Sequence, residues 1–271
     1  VTSSSPILVE TRAIPERTGS VAILTLNRPE QLNAMSWELI TAFDAAIDVI
    51  EADADLRVLL ITGSGRSFSA GGDLSDYVAL QQDPVEFARF VSDLHRAFGK
   101  LRSLRIPTVA LVNGVTTAGG LELILNCDVA VAAATARIGD AHLNFGQMGG
   151  GGVLTLLSRF VGLQRAAELI FTGKLLEAQE AASWGLVNRV VPDVDLMNEG
   201  ILFAQDVAAK SPLAVANAKY VMTTIWLEEM SVEAGLKFEL ERNVEYCTTS
   251  FDAPEGLRAF NEKRTPKFEG R

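Results

Sequence analysis

The chain has 271 residues and a mass of 29.1 kDa; 48% of its residues are hydrophobic and 21% charged, as expected of one large globular domain or of a domain with an appendage. Lys plus Arg number 24 against 34 Asp plus Glu, a net charge of −10, which excludes a basic nucleic-acid surface but leaves room for a small anionic ligand held by a local cluster. With only two His, His95 and His142, and two Cys, Cys127 and Cys247, a structural zinc site is excluded, and the cysteines read as free thiols of a reducing, cytoplasmic compartment.

Residues Val1 to Pro6 carry neither a charged nor an apolar leader pattern, so no signal peptide is expected. Val21 to Leu26 reads as a strand, stopped by Asn27-Arg28-Pro29. From Ser36 to Ile50 the apolar residues Leu39, Ile40, Phe43, Ile47 and Ile50 fall at helical spacing. Val58 to Thr62 is a continuous apolar run, the pattern of a strand buried on both faces. A loop of small residues follows, and Pro84 opens a helix to about Leu104 with a stripe of Phe87, Phe90, Val91, Leu94, Phe98 and Leu101. Thr108 to Val112 reads as the next strand and Gly119 to Asn126 as a short helix. Strands are expected at Asp128–Ala132 and Arg137–Ile138. Gly149 to Gly152 leads into a helix through Leu157, and Val187–Val191 is the last clear strand. The apolar stretch from Ala118 to Ala136 is interrupted by Glu122 and Asp128, which excludes a membrane span. From about Asp195 the pattern is all helical. Ser211-Pro212 marks a helix start, and Asp252-Ala-Pro-Glu255 reads as a capping box. This tail would expose a long apolar face by itself, so it either folds back on the core or makes a subunit contact.

Several familiar motifs are absent. Leu175 follows Gly173-Lys174 where a phosphate-binding loop needs Ser or Thr, and Phe68 replaces the third glycine after Gly63-Ser64-Gly65. What stands out is a pair of glycine-rich junctions, Ser67 to Leu74 and Asn113 to Glu122. Glycines let backbone approach a ligand closely, and a helix starting near Gly119 adds unpaired N–H groups at its positive end. Two such turns facing one another make an oxyanion hole; apart, they are merely tight turns.

These segments resemble the enoyl-CoA hydratase/isomerase, or crotonase, superfamily. The resemblance runs through Leu26-Asn-Arg-Pro-Glu-Gln-Leu-Asn-Ala34, Phe68-Ser-Ala-Gly-Gly-Asp-Leu74, Asn113-Gly114 and Gly119-Gly-Leu-Glu122. It continues through Asn126-Cys-Asp128, Phe171-Thr-Gly173, Gly185-Leu-Val187 and Phe260 to Arg264. It implies an α/β fold: a spiral of repeated ββα units over residues 1–194 holding the acyl-CoA site, then a helical region over 195–271 that builds trimers or stacked pairs of trimers. It also implies an acyl-CoA substrate, with coenzyme A part of that substrate and no separate cofactor. The amides of Gly72 and Gly119 would hold the thioester oxygen, each donor stabilising a developing enolate by roughly 3–4 kcal/mol. Gln31, Leu32, Ala70, Asp73 and Leu74 would follow the CoA arm, and Phe260 and Lys263 would reach the nucleotide of a neighbouring subunit. The plain alternative for Lys263 and Arg264 is a solvated helix face.

Hydratases of this family use two glutamates, one three residues after the oxyanion glycine and one about twenty residues further on; together they activate water and deliver a proton. Glu122 matches the first; its other reading is a first-turn acid that complements the helix dipole. Gapless counting puts His142 at the second position, a departure from the pattern. It serves either as acid and base, with an ordinary pKa of about 6.5, or only to shape the pocket; Asp140 is placed to orient its ring. His95 reads as a half-exposed helix histidine. The expected activity is hydration of a 2-enoyl-CoA. Isomerisation or hydrolysis on the same scaffold and acyl-CoA binding without chemistry are the alternatives.

Overall fold

Residues 5–271 are described by the computed structural model; the expected lack of a leader concerns Val1–Ser4, which lie outside the described residues. The first strand, β1 (Ile7–Ala13), pairs antiparallel with β2 (Ser20–Leu26). In β2 the residues Val21 to Leu24 and Leu26 are all buried, because both faces of this strand are covered. A loop then leads to α1 (Trp37–Ala52), where the Ser36 hydroxyl accepts the Leu39 N–H at 3.2 Å and caps the helix. Strands β3 (Leu56–Gly63) and β4 (Ser67–Ser69) precede α2 (Leu74–Leu80) and α3 (Pro84–Ser103). Asp83 caps α3 through the Val85 and Glu86 N–H groups, with Pro84 in the first turn where no N–H is needed.

The same order recurs with β5 (Thr108–Val112), β6 (Val115–Thr117) and α4 (Gly119–Leu125). It recurs again with β7 (Val129–Ala133), β8 (Arg137–Gly139), α5 (Val153–Val161) and α6 (Leu163–Thr172). Then follow β9 (Leu175–Glu177), α7 (Ala178–Ser183) and β10 (Arg189–Val191). Among the described residues, β1 and β2 both join the larger of two sheets, and from β3 on each turn of the spiral gives one strand to each. The larger has the order β1-β2-β3-β5-β7-β10 and the smaller β4-β6-β8-β9. All pairings are parallel except β1 with β2 and β8 with β9.

The expected strands and long helices are present, with differences that have physical causes. β1 is an edge strand whose side chains after Ile7 are exposed, so only the short run Ile7-Leu8-Val9 is apolar. β4, β6 and β9 are three-residue strands rich in Ser and Thr or next to charge, and they exist through their neighbours in space. α2 buries no residue and so shows no apolar period.

Four helices follow: α8 (Leu196–Ala208), α9 (Pro212–Leu227), α10 (Val232–Thr249) and α11 (Asp252–Asn261). α8 lies on the large sheet, where Gly200 abuts Leu60 and Leu111 so closely that a side-chain carbon would come within 2.8 Å of Leu111. The expected capping box at Asp252 takes another form. Asp252 sits inside α11, and Ser250 accepts the Ala253 N–H. The buried Asp252 carboxylate instead accepts from the Glu269 and Gly270 N–H groups and the Ser211 hydroxyl. Glu255 likewise accepts from Arg264 and the Lys267 N–H, and these bonds hold its carboxyl well down, to about 2.

One buried cation ties α9 to the core. Lys219 Nζ donates to the carbonyls of Leu101 and Ile106 at 2.8 and 3.0 Å and to Asp128 at 2.7 Å. Burial holds its pKa below the ordinary lysine value, against the opposing pull of Asp128. Lys219→Met should therefore cost about 3 kcal/mol, since it leaves a carboxylate and two carbonyls short of a donor. Urea unfolding should show a lower midpoint at constant slope; an unchanged midpoint would mean that this lysine does not anchor the helix.

Candidate active site

Two turns meet at the centre of the spiral. The first runs from β4 to α2, the second from β6 to α4. The Thr117 hydroxyl donates to the Ala70 carbonyl at 2.7 Å, and Ser69 Oγ donates to the Asn33 carbonyl while accepting the Gly71 N–H. Gly71 has φ +94°, and a Cβ there would lie 2.7 Å from the Ala118 Cβ, so only glycine allows the contact. Ala118 itself has φ 49° and ψ −116°, a conformation that is strained for a residue with a side chain.

This packing leaves two amides free. Met35 takes the Gly71 carbonyl and the Asp73 N–H, and no hydrogen bond among the described residues occupies the Gly72 N–H. Gly119 is the first residue of α4, so its N–H has no acceptor within the helix. The Asn-Arg-Pro and Leu-Asn-Ala segment braces the site from behind. Buried Asn33 accepts the Arg28 N–H and donates to the Ser64 and Ser67 carbonyls, each at 2.9 Å. Arg28 in turn pairs with Asp73 at 2.9 Å.

Beside the turns lies a cavity of about 350 Å³. Of the residues singled out from sequence, Gln31, Ala70, Gly72, Asp73, Leu74 and His142 line it. Gly119 and Glu122 are not in that lining, although Ala118, the residue before Gly119, is part of the wall. Leu32 is half-buried in a left-handed turn (φ 54°) outside the lining. Phe260 and Lys263 are exposed at the end of α11 and do not line this cavity in the single chain. His95 faces solvent on α3.

Glu122 is 1% exposed. Its Oε1 accepts the Gly151 and Val153 N–H groups at 2.8 and 3.3 Å. The four glycines Gly149 to Gly152 are what allow this. A Cβ on Gly151 would lie 2.7 Å from Glu122 Oε2, and one on Gly149 would lie 2.7 Å from Glu122 Oε1 and 3.3 Å from His142 Cε1. Glu122 and His142 therefore flank the same glycine. Burial raises the Glu122 pKa, opposed in part by the His142 charge and the two amides.

His142 Nδ1 lies 2.5 Å from Asp140 Oδ1. Burial by itself would lower the imidazole pKa, but the hydrogen bond and charge of Asp140, with the charge of Glu122, raise it above its ordinary value. Tyr77, which the sequence did not single out, completes the wall. Its ring lies against Gly72 and packs edge-on to Phe87 and Phe90 at 5.7 and 5.4 Å. Burial and the Glu122 charge push its hydroxyl up to about 12. The signal that could have found it is Asp73, which caps α2 and sets Tyr77 four residues on, about one helical turn away.

A parallel two-sheet spiral, with paired glycine turns and a buried acid–imidazole pair, defines a class of α/β proteins built to hold a small anionic centre. The sequence profile of the enoyl-CoA hydratase/isomerase family matches residues 16–271, and the chain belongs to that family. A probable enoyl-CoA hydratase of Mycobacterium bovis is 37% identical over 94% of this chain and 97% of its own length. The short-chain-enoyl-CoA hydratase of Clostridium acetobutylicum is 35% identical over 95% and 96%. The crystal structure of an enoyl-CoA hydratase from Bacillus anthracis superposes with a TM-score of 0.89, at 32% identity over 97% of this chain and 99% of that one.

The contact between the turns has a direct test. Gly71→Ala should lower stability by about 2 kcal/mol or more through left-handed strain and collision with Ala118. A neutral urea midpoint would mean that the two turns are not in this contact.

Proposed function

We propose that the chain is an enoyl-CoA hydratase that adds water to a 2-enoyl-CoA. The observation that carries this reading is the placement of Glu122 and His142 on either side of Gly149, next to a cavity bordered by the free amide of Gly72. In this scheme the thioester oxygen sits on the N–H groups of Gly72 and Gly119. Water attacks Cβ and gives a proton to Glu122, while protonated His142 delivers a proton to Cα. The two amides hold the enolate oxygen that develops between these steps. Coenzyme A enters as part of the substrate, along Gln31, Leu32, Ala70, Asp73 and Leu74, and the scheme calls on no further cofactor.

The same proposal takes residues 1–194 as the spiral core with the site and 195–271 as the oligomerisation region. Apolar residues Met222, Leu236, Leu240, Leu257 and Phe260 are exposed on α9 to α11, a face suited to trimers or stacked trimers. In such an assembly Phe260 and Lys263 would meet the CoA nucleotide of a neighbour. Among the described residues no helix is long and apolar enough to cross a membrane, and a cytoplasmic setting fits two free thiols.

Hydration of crotonyl-CoA, followed by loss of enoyl absorbance, tests the activity. Glu122→Gln should lower kcat by about 100-fold or more; equal rates in both proteins would remove Glu122 from the chemistry. The pH profile should be bell-shaped. Activity rises as Glu122 ionises, above the ordinary 4.5, and falls as His142 loses its proton, above the ordinary 6.5, since both pKa values are raised. A flat alkaline limb up to pH ~10 would exclude an imidazolium donor. The Asp140–His142 pair also suits activation of water toward the thioester carbonyl. Release of free CoA thiol from the same substrate, without 3-hydroxyacyl product, would select that hydrolytic reading.

A further inference from the structure

We propose that Asp140 is a positioning residue that sets the tautomer and charge of His142, so that Nε2 is the nitrogen presented to the cavity as a proton donor. The role of that proton rests on the hydratase reading above; the state of the ring does not.

The geometry carries the inference. Asp140 is 1% exposed and His142 8%, and they sit two residues apart with Nδ1 and Oδ1 at 2.5 Å. The backbone on both sides is fixed. β8 ends at Gly139, paired with Leu175 of β9. His142 begins a tight helical turn closed by Gly146 in the left-handed conformation, and its carbonyl accepts the Gln147 N–H at 3.1 Å. A carboxylate is acceptor-only when ionised, so Nδ1 must carry the hydrogen. The neutral ring then has its lone pair at Nε2, and the protonated ring has an N–H there. No group among the described residues hydrogen-bonds to Nε2, and His142 lines the cavity.

The surroundings of the ring are few. Glu122 faces it from α4 and Tyr77 shares the cavity from α2. Asp73, on the same wall, is paired with Arg28. The stretch from Gly149 to Gly152 brings no side chain. On α6, which packs against the turn that His142 opens, Glu168 pairs with Lys174 and Arg165 stacks on Trp184. Among the described residues Asp140 is thus the one carboxylate hydrogen-bonded to the ring. With Asp140 and Glu122 ionised, a protonated His142 leaves the buried cluster with one net negative charge in place of two.

The proton balance closes. In hydration, the Nε2–H proton goes to Cα, the water oxygen bonds to Cβ, and the second water proton goes to Glu122. The enolate electrons form the Cα–H bond, and the enzyme resets when the proton on Glu122 returns to Nε2. Asp140 exchanges no proton with the substrate.

The chain has only two histidines, and a His95→Gln background leaves His142 as the sole imidazole. In that background, with nitrogen-15 labelled histidine, NMR titration of the full-length protein should give a neutral ring with hydrogen on Nδ1 and a pKa above the ordinary value. Asp140→Asn keeps an acceptor and removes the charge. It should lower the His142 pKa by about one unit or more while retaining the tautomer. Asp140→Ala should also mix the tautomers. In the hydration assay, Asp140→Asn should lower kcat by about 10-fold or more, leave KM within about threefold, and move the alkaline limb to lower pH. A wild-type ring with hydrogen on Nε2 overturns the proposal, and this measurement decides it even if the variants fail to fold. An unchanged His142 pKa in folded Asp140→Asn overturns it as well. A shifted pKa in a protein that hydrates no enoyl-CoA in either form would sustain the role of Asp140 and discard the hydratase reading.

Discussion

The backbone contact between the turn at Gly71 and the turn at Ala118 is the constraint on which the rest of the molecule depends. Two chain segments can approach this closely only if one lacks a side chain and the strands leading into both are held in register. The parallel pairing of β4 with β6 supplies the register, and the Thr117 to Ala70 bond fixes the approach. Asn33 and Asn113 then anchor the loops behind, both donating to the carbonyl of Ser67. Strain at Ala118 is the local cost of holding the Gly119 amide at a helix start with nothing bonded to it. The spiral can bear it because α4 is buried along its whole length.

The same contact sets the electrostatics. Bringing α4 to the centre buries Glu122, and a carboxylate there needs donors. Those come from the loop of four glycines, whose amides approach because no side chain intervenes. The resulting field acts on His142, whose pKa burial by itself would lower but which the Asp140 hydrogen bond and the charges of Asp140 and Glu122 raise. Burial raises the Glu122 pKa and the two carboxylates raise that of His142, while the charge of each group pulls the other toward its ionised form. A substitution at either residue would change the other's titration.

What the sequence disclosed follows from where the information lies. β2, β3, β5, α1 and α3 are long and apolar on a fixed period, so their own residues declare them. β4, β6 and β9 have three residues each, and their pairing is decided by partners far along the chain. Tyr77 was passed over because α2 is short, has no fully buried residue and so shows no apolar period. The family resemblance brought Glu122 and His142 to notice, and glycines marked the turns. The clamp on Glu122 was not legible: Gly151 and Val153 act through backbone amides, which every residue has. Asp252 misled for a similar reason. Its position suits a helix cap, but its acceptors are filled by amides of Glu269 and Gly270 in the tail.

The tail also bears on how an acidic protein meets an anion. At a net charge of −10, long-range attraction is unavailable, so recognition must rest on amides and on cations held in place. Asp252 and Glu255 hold the last residues against α11 through buried bonds, and Arg264 is occupied by Glu255 and Glu262. Of the neighbouring pair, Lys263 is left without an ion-pair partner among the described residues. Its left-handed conformation (φ 53°) ends the helix beside exposed Phe260. A cation with no internal partner, next to an exposed ring and carried on an anchored segment, loses little freedom when it meets an anionic group. The carboxylates that lock the tail thus hold Lys263 and Phe260 at the end of an anchored segment.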